Sequence, residues 1–195
     1  MGTAMRNRKI EVEDLPRYSI SDWEHWEGKW ELIDGIPFAM SPMPGKKHQR
    51  INGQLYIQFT HLLGNCPDCE AYLPVNYKVN DSNLLHPDLL VVCGEEEEGT
   101  YVTTTPHLVV EILSESTKTK DKKTKPKVYQ ALGIRYYVII DPKSETAIIF
   151  ELGSDGNYEQ KAKGRNITFR FEFGSCEAEI DFAGIWKRNM SHPEF

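Results

Sequence analysis

The chain has 195 residues, 39% of them hydrophobic and 27% charged, and a formal net charge of −6. That length suits one well-buried domain and is too short to expect two, so a single domain over 1–195 is anticipated, with a core at about 19–152 and a strand meander over 153–186. No apolar stretch approaches the ~18 residues that span a bilayer. The first fourteen residues are polar and lack an apolar signal core, so a cytoplasmic location is expected. Acidity of this size, taken alone, argues against a nonspecific hold on nucleic acid.

In chain order, Ser19 or Ser21 is placed to cap a short helix through Trp23, Glu24 and Trp26, with Gly28 closing it. Trp30 to Ile33, Asp34-Gly35 and Ile36 to Met40 read as a hairpin with a type I′ turn. Ile51, Leu55, Phe59, Leu62 and Leu63 recur at helical spacing between Lys47 and Leu63, which predicts an amphipathic helix. Ala71 to Val79 reads as one strand. Asp121 to Leu132 reads as a helix stopped by Gly133, although Pro126 inside it should kink or delay it. Arg135 to Asp141 is a buried strand. Thr146 to Leu152, Tyr158 to Lys163, Ile167 to Phe171 and Glu177 to Ile180 read as antiparallel strands joined by tight turns. Strands interleaved with two main helices and followed by a meander indicate a mixed α/β sheet.

The four cysteines, Cys66, Cys69, Cys93 and Cys176, fit a reduced intracellular protein, so ordinary free thiols are expected. Cys66-Pro67-Asp68-Cys69 is a lone C-x-x-C. Zinc needs two more ligands, and Cys93 and Cys176 are far apart in sequence. A thioredoxin-like role needs the pair at a strand-to-helix turn, whereas this pair follows a helix and precedes a strand.

Two acids stand in apolar runs, at His86-Pro87-Asp88-Leu89-Leu90-Val91-Val92 and Leu108-Val109-Val110-Glu111-Ile112-Leu113. Both runs read as short buried strands. Side-chain alternation puts Glu111 on one face with Val109 and Leu113, and Leu108, Val110 and Ile112 on the other. A buried carboxylate without a partner costs several kcal/mol, so a cation is expected beside it. Asp88 opens its strand and can reach the same end of the sheet. Two strand-borne carboxylates suggest a site for a hard divalent cation of the Mg²⁺ type. An acidic run at Glu95 to Glu98 is balanced by Lys118, Lys120, Lys122, Lys123, Lys125 and Lys127, which follow Glu111 and offer a phosphate-facing patch.

Pro87-Asp88 followed by Glu111 in a second strand resembles the PD-(D/E)XK nuclease superfamily, and within it the Uma-type restriction endonucleases. The matching stretches are Trp30-Glu31-Leu32-Ile33-Asp34-Gly35, Met40-Ser41-Pro42 with His48 beyond, His86-Pro87-Asp88 and Val110 to Thr117. Asp121 with Lys125 and Tyr129, then Gly133 to Tyr137 leading to Asp141-Pro142, extend the likeness to about Leu152. The chain departs from the superfamily motif at Leu113, where a lysine is usual. In the branch resembled the lysine comes from the next helix, at the position of Lys125, with Lys127 or Lys123 as substitutes.

The resemblance implies a restriction-endonuclease-like fold and Mg²⁺-dependent hydrolysis of DNA phosphodiesters, with Mn²⁺ as a substitute ion. Asp88, Glu111 and the Ile112 carbonyl would hold the metal, and Lys125 would orient the attacking water. Glu31 would be an outer ligand or water-positioner, and His48 a contact to the phosphate or that water. Tyr129 reads as core packing. A homodimer would suit double-strand cleavage. The rival is a nuclease fold with an impaired site, serving as a nucleic-acid or protein binding module. No nucleophile elbow, phosphate-cradling glycine loop or His-Glu-x-x-His motif supports another hydrolytic class.

Overall fold

The computed structural model describes residues 14–40, 43–96, 98–114, 121 and 123–188. Ser41 and Pro42, Glu97, residues 115–120 and Lys122 lie outside them, and with them part of the Met40-Ser41-Pro42 and post-Glu111 motifs and much of the lysine run.

A six-stranded mixed sheet positions the acids. Its order is β11-β10-β9-β8-β6-β3, for Tyr158–Gly164, Thr146–Leu152, Tyr136–Asp141, Leu108–Ile112, Leu89–Cys93 and Cys69–Tyr72. β8 and β9 run parallel, and the connection between them carries helix α3, Lys125–Ala131. The other pairs are antiparallel. Alternation along β8 sorts its side chains as the sequence predicts. Leu108, Val110 and Ile112 join a core with Ile51, Leu55, Phe59 and Leu63 of helix α2, Lys46–Leu63. Val109 and Leu113 join the opposite core with Tyr129 and Tyr137. Each fully buried aliphatic on α2 contributes about 1.5–3 kcal/mol, enough to hold an 18-residue helix with no side-chain cap at Gly45.

A second sheet has the order β2-β1-β5-β4-β7, for Ile36–Ala39, Trp30–Ile33, Asn83–Leu85, Asn76–Asn80 and Tyr101–Val102. The β1–β2 hairpin turns at Asp34 and Gly35, both with positive φ (51° and 71°), as a type I′ turn requires. A Cβ on Gly35 would stand 3.0 Å from the Tyr18 carbonyl oxygen, so the residue must be glycine for space as well as for conformation. β12 (Thr168–Phe173) and β13 (Cys176–Asp181) form a separate hairpin packed on the α2 side.

Several expectations need correction. Helix α1 is only Ile20–Trp23; Ser19 caps it in a capping box with Asp22, and it ends before Glu24 rather than running to Gly28. The strand expected over Ala71 to Val79 is two, β3 and β4, in different sheets. The chain leaves one sheet for the other at Leu73-Pro74-Val75, where Pro74 cannot donate to a ladder. Helix α3 starts at Lys125 rather than Asp121, so Pro126 falls in its first turn, where it removes no helical hydrogen bond. The cysteines are not free: Cys66 bonds Cys176 and Cys69 bonds Cys93. Sequence distance hid this, because β3 and β6 pair with Cys69 opposite Cys93, and the β12–β13 hairpin returns Cys176 to the end of α2.

Candidate active site

β6 and β8 pair with Leu89 opposite Val110, so one step further Asp88 faces Glu111. The Asp88 Oδ2 atom accepts the Ile112 amide at 2.7 Å and lies 3.2 Å from His48 Nε2. Asn52 of α2 donates to the Asp88 carbonyl at 2.8 Å and fixes the helix to the strand opening. Glu111 is almost wholly buried. Its Oε1 atom accepts from both Lys125 Nζ and the Tyr129 hydroxyl, each at 2.6 Å. The contacts of Glu111 fall on Oε1 and those of the Asp88 carboxylate on Oδ2, so among the described residues one oxygen of each is left to the cleft.

Lys125 is 1% exposed. Besides Glu111, its ammonium lies 2.8 Å from Glu31 Oε1 and 3.7 Å from Asp121 Oδ1. Glu31, at 0% exposure on β1, also accepts the His86 amide at 3.0 Å. It is an anchor joining the second sheet to the lysine. The His86 ring turns to Asn76 Oδ1 at 2.8 Å. The Asp121 carbonyl accepts the Tyr137 hydroxyl at 2.7 Å.

Burial works against every charge in this cluster. It pushes the Glu111 carboxyl well above the usual range, and Asp121, Asp88 and Glu31 add to the push while Lys125 opposes it. Burial would pull the Lys125 ammonium down, but Glu111, Glu31 and Asp121 together outweigh it, and the group stays protonated well above its ordinary range. Burial also raises the Tyr129 hydroxyl well above normal, so it remains a donor to Glu111. Among the described residues, three buried carboxylates therefore surround one ammonium, a balance that favours a further cation or a retained proton.

Asp88, Glu111, Ile112, Lys125, His48 and Ser114 line one cleft of about 120 Å³, with Met40, Met43 and Pro44 at its margin. A larger cleft of about 570 Å³ adjoins it through His48, Ser114 and Gly45 and reaches Lys47 and Lys143. Asp88, Glu111, Ile112, Lys125 and His48 are thus at one point; Glu31 stands behind Lys125 rather than on the cleft wall, and Lys123 and Lys127 do not line the cleft. Tyr129 is more than packing, which corrects the expectation: its ring packs on Tyr137 and its hydroxyl holds Glu111. Asn52 had no sequence signal of its site role, whereas Asp121, four residues before Lys125, was marked only as part of the family likeness and not as a partner of the lysine. Among the described residues no three His, Cys, Asp or Glu side chains form a ready metal cage. An ion here would rest on two carboxylates, a backbone carbonyl and water, the set Mg²⁺ accepts. The donors fit it: hard oxygens, one on each acid without a partner among the described residues, lining a common cleft.

The fold and the chain have recognisable relatives. A solved structure, that of a putative nuclease belonging to DUF820 from Anabaena variabilis, matches 86% of this chain and 97% of its own with a TM-score of 0.69 at 16% identity. The mixed α/β architecture is therefore shared with that protein. An uncharacterized protein of Synechocystis sp., slr1290, is 29% identical over 152 residues, 74% of this chain and 79% of the relative. No helix among the described residues is long and apolar enough to cross a membrane. The family described as "Uma2: Putative restriction endonuclease" matches residues 12–169, and over that span, most of its length, this chain belongs to the Uma2 family.

Proposed function

We propose that this protein is a Mg²⁺-dependent endonuclease that hydrolyses phosphodiester bonds of DNA, with Asp88, Glu111 and the Ile112 carbonyl holding the ion. The observation that carries the reading is the facing pair Asp88 and Glu111 on β6 and β8, with Lys125 locked beside them. When bound, Mg²⁺ would supply Lewis-acid activation of water and of the phosphate. The remaining chemistry belongs to the chain. Glu31 and Glu111 clamp the Lys125 ammonium, so its third hydrogen-bond direction can orient a water and offset charge on the phosphate with little reorganisation. Tyr129 fixes which Glu111 oxygen faces the cleft. His48, paired to Asp88, sits where the smaller cleft opens into the larger and faces an incoming phosphate. Lys143 and Lys47, the latter paired with Glu145 at 3.1 Å, line the larger cleft and would receive the neighbouring backbone phosphates. Two copies, each addressing one strand, would suit duplex cleavage.

Incubation of supercoiled and single-stranded DNA with and without Mg²⁺ tests this reading. The wild type should nick or cut only with the ion, and Asp88→Ala should lower the rate about a hundredfold or more. If Asp88→Ala cleaves as fast as the wild type, the assignment fails.

A further inference from the structure

At the end of the sheet opposite the acids, four cysteines line one cavity. Cys93 closes β6, and the five residues separating it from Asp88, at about 3.3 Å each, put the two ends about 17 Å apart. Cys66 and Cys69 stand on a turn after α2, closed by the Cys69 amide donating to the Cys66 carbonyl at 2.9 Å. The C-x-x-C cysteines do not bond each other. Cys69 reaches across the sheet to Cys93 (Cα–Cα 4.0 Å), and Cys66 reaches the β13 hairpin at Cys176 (Cα–Cα 5.7 Å). Because the ends of such a turn lie within about 7 Å of one another, the two bonded pairs adjoin. All four cysteines line one cavity of about 310 Å³.

We propose that in the reduced chain these four cysteines bind a structural zinc ion in a tetrahedral thiolate site distinct from the Asp88–Glu111 centre. Paired as disulfides, the sulfurs have no thiolate to offer, so the site exists only after reduction. A dithiol reductant supplies two electrons and two protons to each disulfide and leaves as its own cyclic disulfide; zinc then displaces the thiol protons as the thiolates bind it. Zn–S bonds of about 2.3 Å in a tetrahedron set the sulfurs about 3.8 Å apart, so the bonded pairs must open and draw together on one ion. The frame for that opening is already built. Gly94, at φ +108°, turns the chain directly after Cys93, and its amide donates to the Asp68 carbonyl inside the C-x-x-C turn at 2.7 Å. Soft thiolates select zinc over the hard ions suited to the acid pair. His107 lines the same cavity, and its buried Nδ1 has no hydrogen-bond partner among the described residues.

The site would take over the role of the two covalent links, tying the end of α2, the β3–β6 pair and the C-terminal hairpin together under conditions that reduce disulfides. The experiment is metal analysis of the full chain, reduced with dithiothreitol, equilibrated with zinc and desalted. About one zinc per chain is expected, retained in Asp88→Asn and lost in Cys69→Ser and Cys176→Ser. Cobalt in place of zinc should give thiolate-to-metal charge-transfer absorption in the wild type, and a thiol-specific mercurial should release the metal. Reduced wild type that keeps no metal, metal that persists in the cysteine variants, or metal that leaves with Asp88→Asn overturns the proposal, and the cysteines are then disulfide staples only. Should the cysteine variants fail to fold, the wild-type cobalt spectrum decides: charge-transfer bands support the site, and their absence overturns it.

Discussion

The carboxylate of Glu111 is held asymmetrically, because Lys125 and Tyr129 both donate to Oε1, and that asymmetry separates what each neighbour contributes. Lys125 supplies the charge that makes burial of Glu31, Glu111 and Asp121 tolerable. Lys125→Met removes the ammonium bonded to Glu31 and Glu111 and closest, among the described residues, to Asp121, so those acids must take up protons or draw in water. Loss of a buried partner of this kind costs about 3–5 kcal/mol, and urea unfolding of Lys125→Met should show a loss of that size together with loss of cleavage. Tyr129 contributes orientation and no charge. Tyr129→Phe leaves Oε1 with one donor, at a cost of about 1–3 kcal/mol for a buried acceptor. Cleavage should fall while Mg²⁺ dependence is kept. Equal stability losses in the two variants would mean that charge compensation does not dominate the cluster.

At the scale of elements, Pro126 decides whether the lysine-bearing helix is distorted. Helix α3 begins at Lys125, with the proline in its first turn and Tyr129 one turn along, so Lys125 and Tyr129 reach Glu111 from one side of an ordinary helix. Pro126→Ala should change stability by less than about 1 kcal/mol, because a proline in the first turn blocks no hydrogen bond. A gain approaching the ~3 kcal/mol that an interior proline costs would place the start of the helix before it. This element also marks where sequence legibility ended. The strands β6, β8 and β9 and the helix α2 were readable because continuous apolar runs and helical periodicity are local properties. The facing of Asp88 and Glu111 followed from placing each on its strand. The start of α3 was misread because Asp121 and Lys123 are themselves helical, and the turn at Thr124 that separates them from α3 has no signature in the residue pattern.

Across the whole molecule, what the sequence concealed was long-range: the pairing of Cys66 with Cys176 and Cys69 with Cys93, the passage of the chain between sheets at Leu73-Pro74-Val75, and the contact of Glu31 with Lys125. Each depends on which surfaces meet after folding, and no spacing along the chain encodes it. Global stability against pH carries a similar long-range signature. His107, between β7 and β8, is pushed below its ordinary range by burial and, less strongly, by Arg135 from the start of β9. A depressed histidine favours the neutral ring in the folded chain. As pH falls through about 6.5, the unfolded chain takes up a proton that the folded chain resists, so stability is full above that pH and declines below it. Glu111 acts in the opposite sense, because its raised carboxyl lets the folded chain bind a proton sooner than the unfolded one. The net slope of the wild type therefore mixes the two, and the difference between wild type and His107→Gln isolates the histidine. Urea midpoints of the disulfide-bonded chain between pH 5 and 7.5 should fall more steeply on acidification in the wild type than in His107→Gln. Parallel curves would show that the His107 ring is solvated in the folded chain and titrates as it does in the unfolded one.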